Sequence, residues 1–301
     1  MKLHCAPVCQ SCMHVSYEYR CPFDRDGPRA LNPGDLNSLF HRITSDEYYV
    51  QHFAPTILSS PETTAGGPWV VQFDNFIRPE ECDSLISHGG SIGYASSVTV
   101  GTVVKFDGTR EGNANNPART STNAWCNSDP CKNDTHTRNV FDRIENVTGI
   151  PERNSEALQL LRYQEGQFYK VHHGAFMFNL IAIISYLDAD ILLVNSFSRF
   201  VCSDYLEHHY DQPQGVRILT FFIYLNDVES GGETHFPKLN LTVTPKRGRA
   251  ILWPSVLDED PNAKDDRTDH EALPVLEGIK FGANAWLHQR DYEDAQSRGC
   301  T

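Results

Sequence analysis

The C-terminal half of the chain contains three groups of residues that could together bind a metal and an anion. The stretch YQEGQFYKVHHG ends in His172 and His173, and DRTDHEALPVLEGIKFGANAWLHQ contains His270 and, ten residues later, Lys280. Two imidazoles and one carboxylate on one face of a metal leave three positions open, which suits a non-heme Fe(II) oxygenase. A buried lysine is costly without an anionic partner, so Lys280 predicts an anionic cosubstrate such as a 2-oxo acid.

Each of these features also has a purely structural interpretation. His270 could be a solvated histidine in an Asp-rich loop, and Lys280 could lie on an exposed edge strand. The third group, YLNDVESGGETHFP, could be an ordinary hairpin around a Gly-Gly turn. The occurrence of all three features in this order favours a functional site.

The elements that must position these residues are short strands. The segments are apolar, β-branched or aromatic, and are separated by Gly, Pro and Asn-Asp turns: LQLLRY, QFYKVHH, VRILTFFIYL, TVTPKRGRAILW and IKFGANAWLH. This spacing predicts a sandwich or jelly roll. Upstream, a helix is predicted from Pro79 through PEECDSLISHGG, and another through DTHTRNVFDRIENVTGI on the spacing of Val140, Ile144 and Val147. The predicted fold class is therefore α+β, with a β catalytic half behind supporting N-terminal helices.

The net charge argues against nucleic acid as a partner. The chain has 301 residues and a formal charge of −13, without a basic stripe, so nucleic-acid binding is not expected. That length suits one large domain or two smaller ones.

Cysteines and glycosylation sequons favour an oxidising compartment. Nine cysteines are present, and three lie in CAPVCQSC near the N-terminus. Cys126 and Cys131 flank the turn-forming NSDP and are predicted to pair. Sequons occur at Asn133, Asn146 and Asn240, although such triplets also arise by chance. Zinc binding by CAPVCQSC is the alternative, but the chain has no matching second cluster.

Residues from about 69 to 292 resemble the catalytic domain of the prolyl 4-hydroxylase alpha-subunit family of Fe(II)/2-oxoglutarate dioxygenases. The resemblance rests on several segments: RTSTNAW, YQEGQFYKVHH, RILTFFIYLNDVESGGETHFP, VTPKRGRAILWPS and DRTDHEALPVLEGIKFGANAWLHQRD. It implies a double-stranded β-helix, also called a jelly roll, and hydroxylation of a peptidyl proline in a protein substrate. The implied cofactors and cosubstrates are Fe(2+), 2-oxoglutarate, O2 and L-ascorbate.

The resemblance also implies roles for individual residues. His172, Asp204 and His270 are the expected iron ligands and the catalytic centre. Lys280 is the expected anchor for 2-oxoglutarate, assisted by Thr220 and Tyr163. Trp286 is expected near the substrate, although it could equally be a core aromatic residue.

The chain departs from the family at its first ligand motif. The family pattern is Tyr-x-x-His-x-Asp, but Gly174 stands where the aspartate belongs. Removal of residues 174–203 joins YKVHH to DYLEHHYD and brings Asp204 into that position. The removed segment contains Cys202, so nine cysteines minus one leaves an even eight. We therefore interpret 174–203 as an atypical insert, with a retained intron as the leading explanation.

Other interpretations of the insert remain open. It could be a genuine lid loop, since the entropy of loop closure grows slowly with length. It could be a membrane span, although its clean apolar run is shorter than the ~20 residues required. The nearby His209 and Asp211 also form a His-x-Asp pair that could replace the expected ligands.

The predicted organisation has three parts. Residues 1–21 are a remnant resembling a ShK-toxin-like cysteine module, 22–65 are a linker, and 66–301 are the dioxygenase domain. No signal peptide or membrane anchor is visible, and we expect one to be missing from the N-terminus of an endoplasmic-reticulum or secretory protein.

Two alternatives to an active enzyme follow from these features. Splitting of the His-x-Asp motif could leave a catalytically impaired protein. The cysteine-rich remnant could instead belong to a secreted binding protein on a dioxygenase-like scaffold.

Overall fold

The computed structural model describes residues 17–24, 26–64, 66–97, 103–104, 110–111, 118–173 and 212–301. The predicted insert, Asp204, His209, Asp211 and the CAPVCQSC cysteines lie outside these ranges. The described chain combines helices with antiparallel strands, as expected of an α+β protein.

A large antiparallel sheet is the main structural layer. It has eight strands, in the spatial order β1 (Pro55–Ser59), β2 (Val70–Phe73), β13 (Ala250–Pro254), β9 (Arg217–Tyr224), β16 (Lys280–His288), β7 (Gln159–Tyr163), β6 (Thr122–Trp125) and β3 (Ala95–Ser96).

A smaller antiparallel sheet has four strands. Their spatial order is β12 (Leu241–Val243), β11 (Thr234–Phe236), β14 (His270–Ala272) and β8 (Tyr169–His172). Two isolated strand pairs complete the β-structure: β4 (Val103–Val104) with β5 (Arg110–Glu111), and β10 (Ser230–Gly231) with β15 (Val275–Glu277).

The chain passes between the two sheets in the manner of a jelly roll. From β7 onward the chain alternates between the sheets. The large sheet contains β7, β9, β13 and β16, and the small sheet contains β8, β11, β12 and β14. Eight strands that alternate in this way close two sheets over a common interior. The predicted double-stranded β-helix is thereby confirmed.

Alternation of side chains along each strand gives the large sheet two different faces. On one face Leu161, Phe222 and Trp253 belong to the core shared with the small sheet. On the other, Leu160 and Phe221 join the core formed with the helices.

Seven helices are described, together with three short 3-10 helices. The helices are α1 (Tyr17–Arg20), α2 (Asp35–Ser45), α3 (Glu47–Phe53), α4 (Pro79–Ile92), α5 (Asp129–Lys132), α6 (Thr135–Thr148) and α7 (Tyr292–Ser297). The 3-10 helices span Glu152–Asn154, Pro237–Leu239 and Asp266–Thr268. The two predicted long helices are confirmed, and the Asp134 side chain caps the start of α6.

Residues 22–65 differ from the predicted linker. Leu36, Leu39, Phe40 and Ile43 recur at helical spacing along α2, and all four are buried. Full burial of each such side chain contributes about 1.5–3 kcal/mol. β1 extends the large sheet through its pairing with β2. The elements α2 and β1 therefore pack against the sheet and helices that follow them in the chain.

The segment TVTPKRGRAILW forms two strands rather than one. β12 ends before Pro245, and β13 begins only at Ala250. Gly248 in the intervening turn has φ +79, and a Cβ there would lie 2.6 Å from the Ile77 carbonyl oxygen. This close approach requires glycine.

Two disulfides are present among the described cysteines. Cys126 and Cys131 are bonded as predicted. Cys21, which the sequence placed with the N-terminal cysteines, instead bonds Cys300 near the C-terminus. Cys82 is a buried free thiol. Within the described ranges, no helix is long and apolar enough to cross a membrane.

A buried carboxylate connects α4 to α6. Glu81 is fully buried and accepts bonds from both guanidinium nitrogens of Arg143 at 3.1 Å. It also accepts from the Arg78 backbone nitrogen at 2.7 Å, which closes the start of α4.

We expect Glu81→Ala to lower the free energy of unfolding by about 3–5 kcal/mol, because it leaves Arg143 without its buried partner. Urea denaturation would measure this loss. Glu80→Ala, at the exposed neighbouring position, should change stability by less than about 0.5 kcal/mol. Equal effects of the two variants would contradict the assignment.

Candidate active site

Two of the predicted iron ligands face each other across the small sheet. His172 at the end of β8 and His270 at the start of β14 are paired residues of the antiparallel ladder. Their ring centroids are 4.3 Å apart, and both residues are buried. Ladder pairing therefore brings together two imidazoles that are 98 residues apart in sequence.

Backbone carbonyls fix the orientation of both rings. His172 Nδ1 lies 2.8 Å from the Lys170 carbonyl oxygen, and His270 Nδ1 lies 2.9 Å from that of Thr268. A carbonyl oxygen only accepts, so Nδ1 carries the proton and Nε2 carries the lone pair in each ring. This tautomer and this type of supporting carbonyl are typical of metal-binding histidines.

Aromatic rings surround the histidine pair. Tyr169 stacks on His172 with a centroid separation of 3.5 Å. Trp253 and Phe236 approach His270 at 4.8 Å and 5.7 Å. These contacts exclude water and restrict the rotation of both imidazoles.

The third predicted ligand is Asp204. Asp204 lies outside the described residues, so its role stays a prediction, as does the alternative pair His209 and Asp211. Among the described residues, no three His, Cys, Asp or Glu side chains come together as a metal site.

Lys280 lies in an aromatic chamber on the inner face of the large sheet. Its ammonium is about 5 Å from the ring centroids of Tyr163 (5.2 Å), Phe222 (5.1 Å) and Tyr224 (5.4 Å). Nζ donates to the Gly232 carbonyl oxygen at 2.6 Å. Burial lowers the pKa of Lys280 to about 7, although the nearby Glu233 acts in the opposite direction. No carboxylate among the described residues forms an ion pair with it.

The structure does not bring Thr220 to Lys280. Thr220 pairs with Trp286 in the ladder between β9 and β16, six residues along β16 from Lys280. Its buried hydroxyl has no hydrogen-bond partner among the described residues. The hydroxyl beside the lysine chamber belongs to Thr234, which receives a hydrogen bond from the Tyr224 hydroxyl at 2.7 Å.

Thr234 could have been found from the sequence. It follows the Gly-Gly turn in GGETHF, and strand alternation places Thr234 and Phe236 on the same face of β11. Thr220 was expected beside Lys280 from the family resemblance, but the sequence alone does not give the register between strands.

A buried charge network lies beside Trp286. The Arg217 guanidinium stacks over the Trp286 ring at 3.9 Å and forms a salt bridge with Glu156. The same Glu156 oxygen lies 2.9 Å from His288 Nε2. Burial alone would raise the pKa of Glu156, but Arg217 and His288 lower it to about 2. The carboxylate is therefore ionised at neutral pH and fixes the position of Arg217.

Another buried cation, Arg119, lies next to the ring that stacks on His172. The Arg119 guanidinium lies over the Tyr169 ring at 4.5 Å, and its Nε donates to the Ser121 hydroxyl at 3.0 Å. The sequence indicated RTSTNAW only as a whole. The stacking of Arg119 on Tyr169 could not be predicted from the sequence, because the two residues belong to separate segments that meet in an isolated β-bridge.

Comparison with known proteins agrees with this arrangement. A family model described as the 2OG-Fe(II) oxygenase superfamily matches residues 195–288. A prolyl 4-hydroxylase homologue of Acanthamoeba polyphaga mimivirus is 29% identical over 261 residues, which cover 87% of this chain and 86% of its own. The chain is similar to 2OG-Fe(II) oxygenases of the prolyl 4-hydroxylase type.

Other known proteins match over shorter ranges or as structures. Prolyl 4-hydroxylase subunit alpha-2 of Gallus gallus is 30% identical over 61% of this chain, but this chain spans only 28% of that subunit. A solved viral collagen prolyl hydroxylase from Paramecium Bursaria Chlorella virus-1 has 24% identity and a TM-score of 0.46, covering 75% of this chain and 98% of its own.

This similarity supports a 2-oxoglutarate-dependent dioxygenase and implies Fe2+, 2-oxoglutarate and O2. The described residues fit these groups. Paired imidazoles in the metal-binding tautomer suit Fe2+. A buried ammonium without a carboxylate partner in the described chain suits the far carboxylate of 2-oxoglutarate. An enzyme is therefore favoured over the cysteine-rich binding protein.

We expect the affinity for 2-oxoglutarate to fall as pH rises above about 7. Above the pKa of Lys280, about 7, binding of the anion must take up a proton. Affinity should then decrease by up to about tenfold per pH unit until the pKa of the bound state is reached. Anaerobic calorimetric titration between about pH 6 and 9 would measure this dependence.

Lys280→Met is the control for the same titration. It should bind 2-oxoglutarate at least tenfold more weakly at pH 6 and should lose the pH dependence. Its metal-free form should be at least as stable as the parent chain, because an apolar side chain replaces a buried charge. Tight, pH-independent binding by both proteins would contradict the role of Lys280.

Proposed function

We propose that the chain hydroxylates C4 of proline residues in a protein or peptide substrate. The observation that carries this proposal is the pairing of His172 with His270 next to the Lys280 chamber, in a chain similar to prolyl 4-hydroxylases. Bound Fe2+ and 2-oxoglutarate supply the oxidising chemistry, in which O2 is consumed and succinate and CO2 are released.

The side chains of this protein hold the reactants in place. His172, His270 and, as a prediction, Asp204 hold the metal. Lys280 binds the far carboxylate of 2-oxoglutarate, with the Tyr163 and Thr234 hydroxyl groups as hydrogen-bonding partners. The aromatic rings around His270 keep water from the reacting centre, which strengthens each electrostatic contact inside it.

The substrate proline would pack against Trp286. The centroid of the Trp286 ring lies 6.0 Å from that of Trp125, so the two rings form an aromatic pair. Arg217, held over Trp286 by Glu156, is placed to donate hydrogen bonds to peptide carbonyl groups. Arg119 and Tyr169 would border the opposite side of the peptide.

A secretory location is part of this proposal. The disulfide between Cys21 and Cys300 joins residues 279 positions apart, and the second disulfide closes a short loop at Cys126. Such bonds persist in oxidising compartments such as the endoplasmic reticulum. L-ascorbate, a reductant that would keep the metal as Fe2+, is proposed for the same reaction.

Turnover of a proline-rich peptide tests the activity. With Fe2+ and 2-oxoglutarate, the active protein should release succinate in proportion to the 4-hydroxyproline formed. His270→Ala should reduce this rate at least 100-fold, because it removes a metal ligand. His235→Ala, on the neighbouring strand, should stay within about threefold. Peptide-independent succinate release alone would contradict the choice of substrate.

A second set of variants in the same assay tests which aspartate is the third metal ligand. Asp204→Ala should abolish turnover, whereas Asp211→Ala should retain it. A chain lacking residues 174–203 should be at least as active as the full chain. Loss of activity only with Asp211→Ala would assign the metal to the alternative pair.

Glycosylation would test whether the Asn240 sequon is accessible to modification in the secretory pathway. Asn240 is exposed in a left-handed turn, and Thr242 of the same sequon is exposed on β12. When the chain is expressed behind a secretory leader, glycosidase digestion should reduce its mass on a gel. Thr242→Ala should remove one glycan and Thr242→Ser should keep it. A mass unchanged by digestion would contradict glycosylation.

A further inference from the structure

His173 connects the two strands that supply the metal-binding histidines. It follows His172 at the end of β8 and is only 1% exposed. The ring of His172 faces His270, whereas His173 contacts the loop that precedes β14.

The contact of His173 is with a structured turn. Its Nε2 lies 2.5 Å from the Asp265 carbonyl oxygen and 3.0 Å from the Thr268 hydroxyl. The carbonyl can only accept, so Nε2 carries a proton and donates.

The turn from Asp265 to Thr268 is bonded at both ends. The Asp265 carboxylate accepts from the Arg267 backbone nitrogen at 3.0 Å, and the Asp265 backbone nitrogen donates to the Ser255 carbonyl oxygen at 3.0 Å. The Thr268 hydroxyl donates to the Asp265 carbonyl oxygen at 3.0 Å. His173 therefore binds the carbonyl around which the whole turn is organised.

The same turn orients His270. Its last residue, Thr268, supplies the carbonyl oxygen that accepts the Nδ1 proton of His270. A path of three hydrogen bonds thus leads from His173 through Asp265 and Thr268 to the ring of His270. Groups that hold a ligand histidine in this way commonly change metal affinity 10–100-fold when they are lost.

We propose that His173 is a positioning residue for the metal centre, which couples the strand end bearing His172 to the turn that orients His270. This role rests on the proposed function, because it requires that His172 and His270 bind a metal. His173 itself touches neither the metal nor the substrate in this assignment.

Metal titration of the metal-free protein tests the proposal without turnover. Co2+ is the probe, and calorimetry gives its affinity in the presence of 2-oxoglutarate. His173→Leu removes the donor and should weaken Co2+ binding about 10–100-fold. His173→Gln places an amide donor near the position of Nε2 and should restore affinity to within about fivefold of the parent chain.

Two further variants separate positioning from general stability. Thr268→Val retains His173 but removes the hydroxyl that it contacts, and it should weaken Co2+ binding about fivefold or more. His52→Leu, at an exposed position in α3, should leave the affinity unchanged. Thermal unfolding of each metal-free variant shows whether reduced affinity follows loss of fold.

The outcomes are distinguishable. If the parent chain binds no Co2+, the proposed function fails. If the parent chain binds and His173→Leu binds equally well, only the role of His173 is overturned. Equal weakening by His173→Leu and His173→Gln also overturns it, because the donor would not matter. If His173→Leu does not fold, Thr268→Val and His173→Gln decide by the same criteria.

Discussion

The candidate site depends on the antiparallel pairing of β8 with β14. This ladder fixes the distance between His172 and His270 through backbone hydrogen bonds, before any metal binds. Carbonyl oxygens of Lys170 and Thr268 then select one tautomer in each ring. A site prepared in this way requires little rearrangement on binding, and the metal can use its full affinity for the imidazoles.

The large sheet supplies the complementary part of the site. Its helix-facing side packs into the main core, which leaves the inner side to carry Lys280, Tyr163, Trp286 and Arg217. Burial of the Lys280 ammonium is unfavourable, and three aromatic rings surround the charge at this position. An arrangement that destabilises the protein without its anionic partner is typical of binding sites.

The sequence predicted the strands and identified the two histidines that the ladder brings together, because both depend on local patterns and recognisable motifs. It could not predict contacts set by strand register, and Thr220 was therefore chosen where Thr234 lies beside Lys280. The Glu156, Arg217 and His288 network was missed for the same reason, since its members come from three separate segments. Residues 22–65, predicted as a linker, include α2, whose apolar side chains recur at helical spacing and are buried.

The most direct test of the central claim is anaerobic titration of Fe2+ into the protein with 2-oxoglutarate, followed by absorption spectroscopy. A metal chelated by a 2-oxo acid gives a visible charge-transfer band. We expect this band in the parent chain, and we expect its loss in both His172→Ala and His270→Ala at equal protein and metal concentrations. A band of unchanged intensity in either variant would contradict the assignment of these paired histidines as the iron ligands.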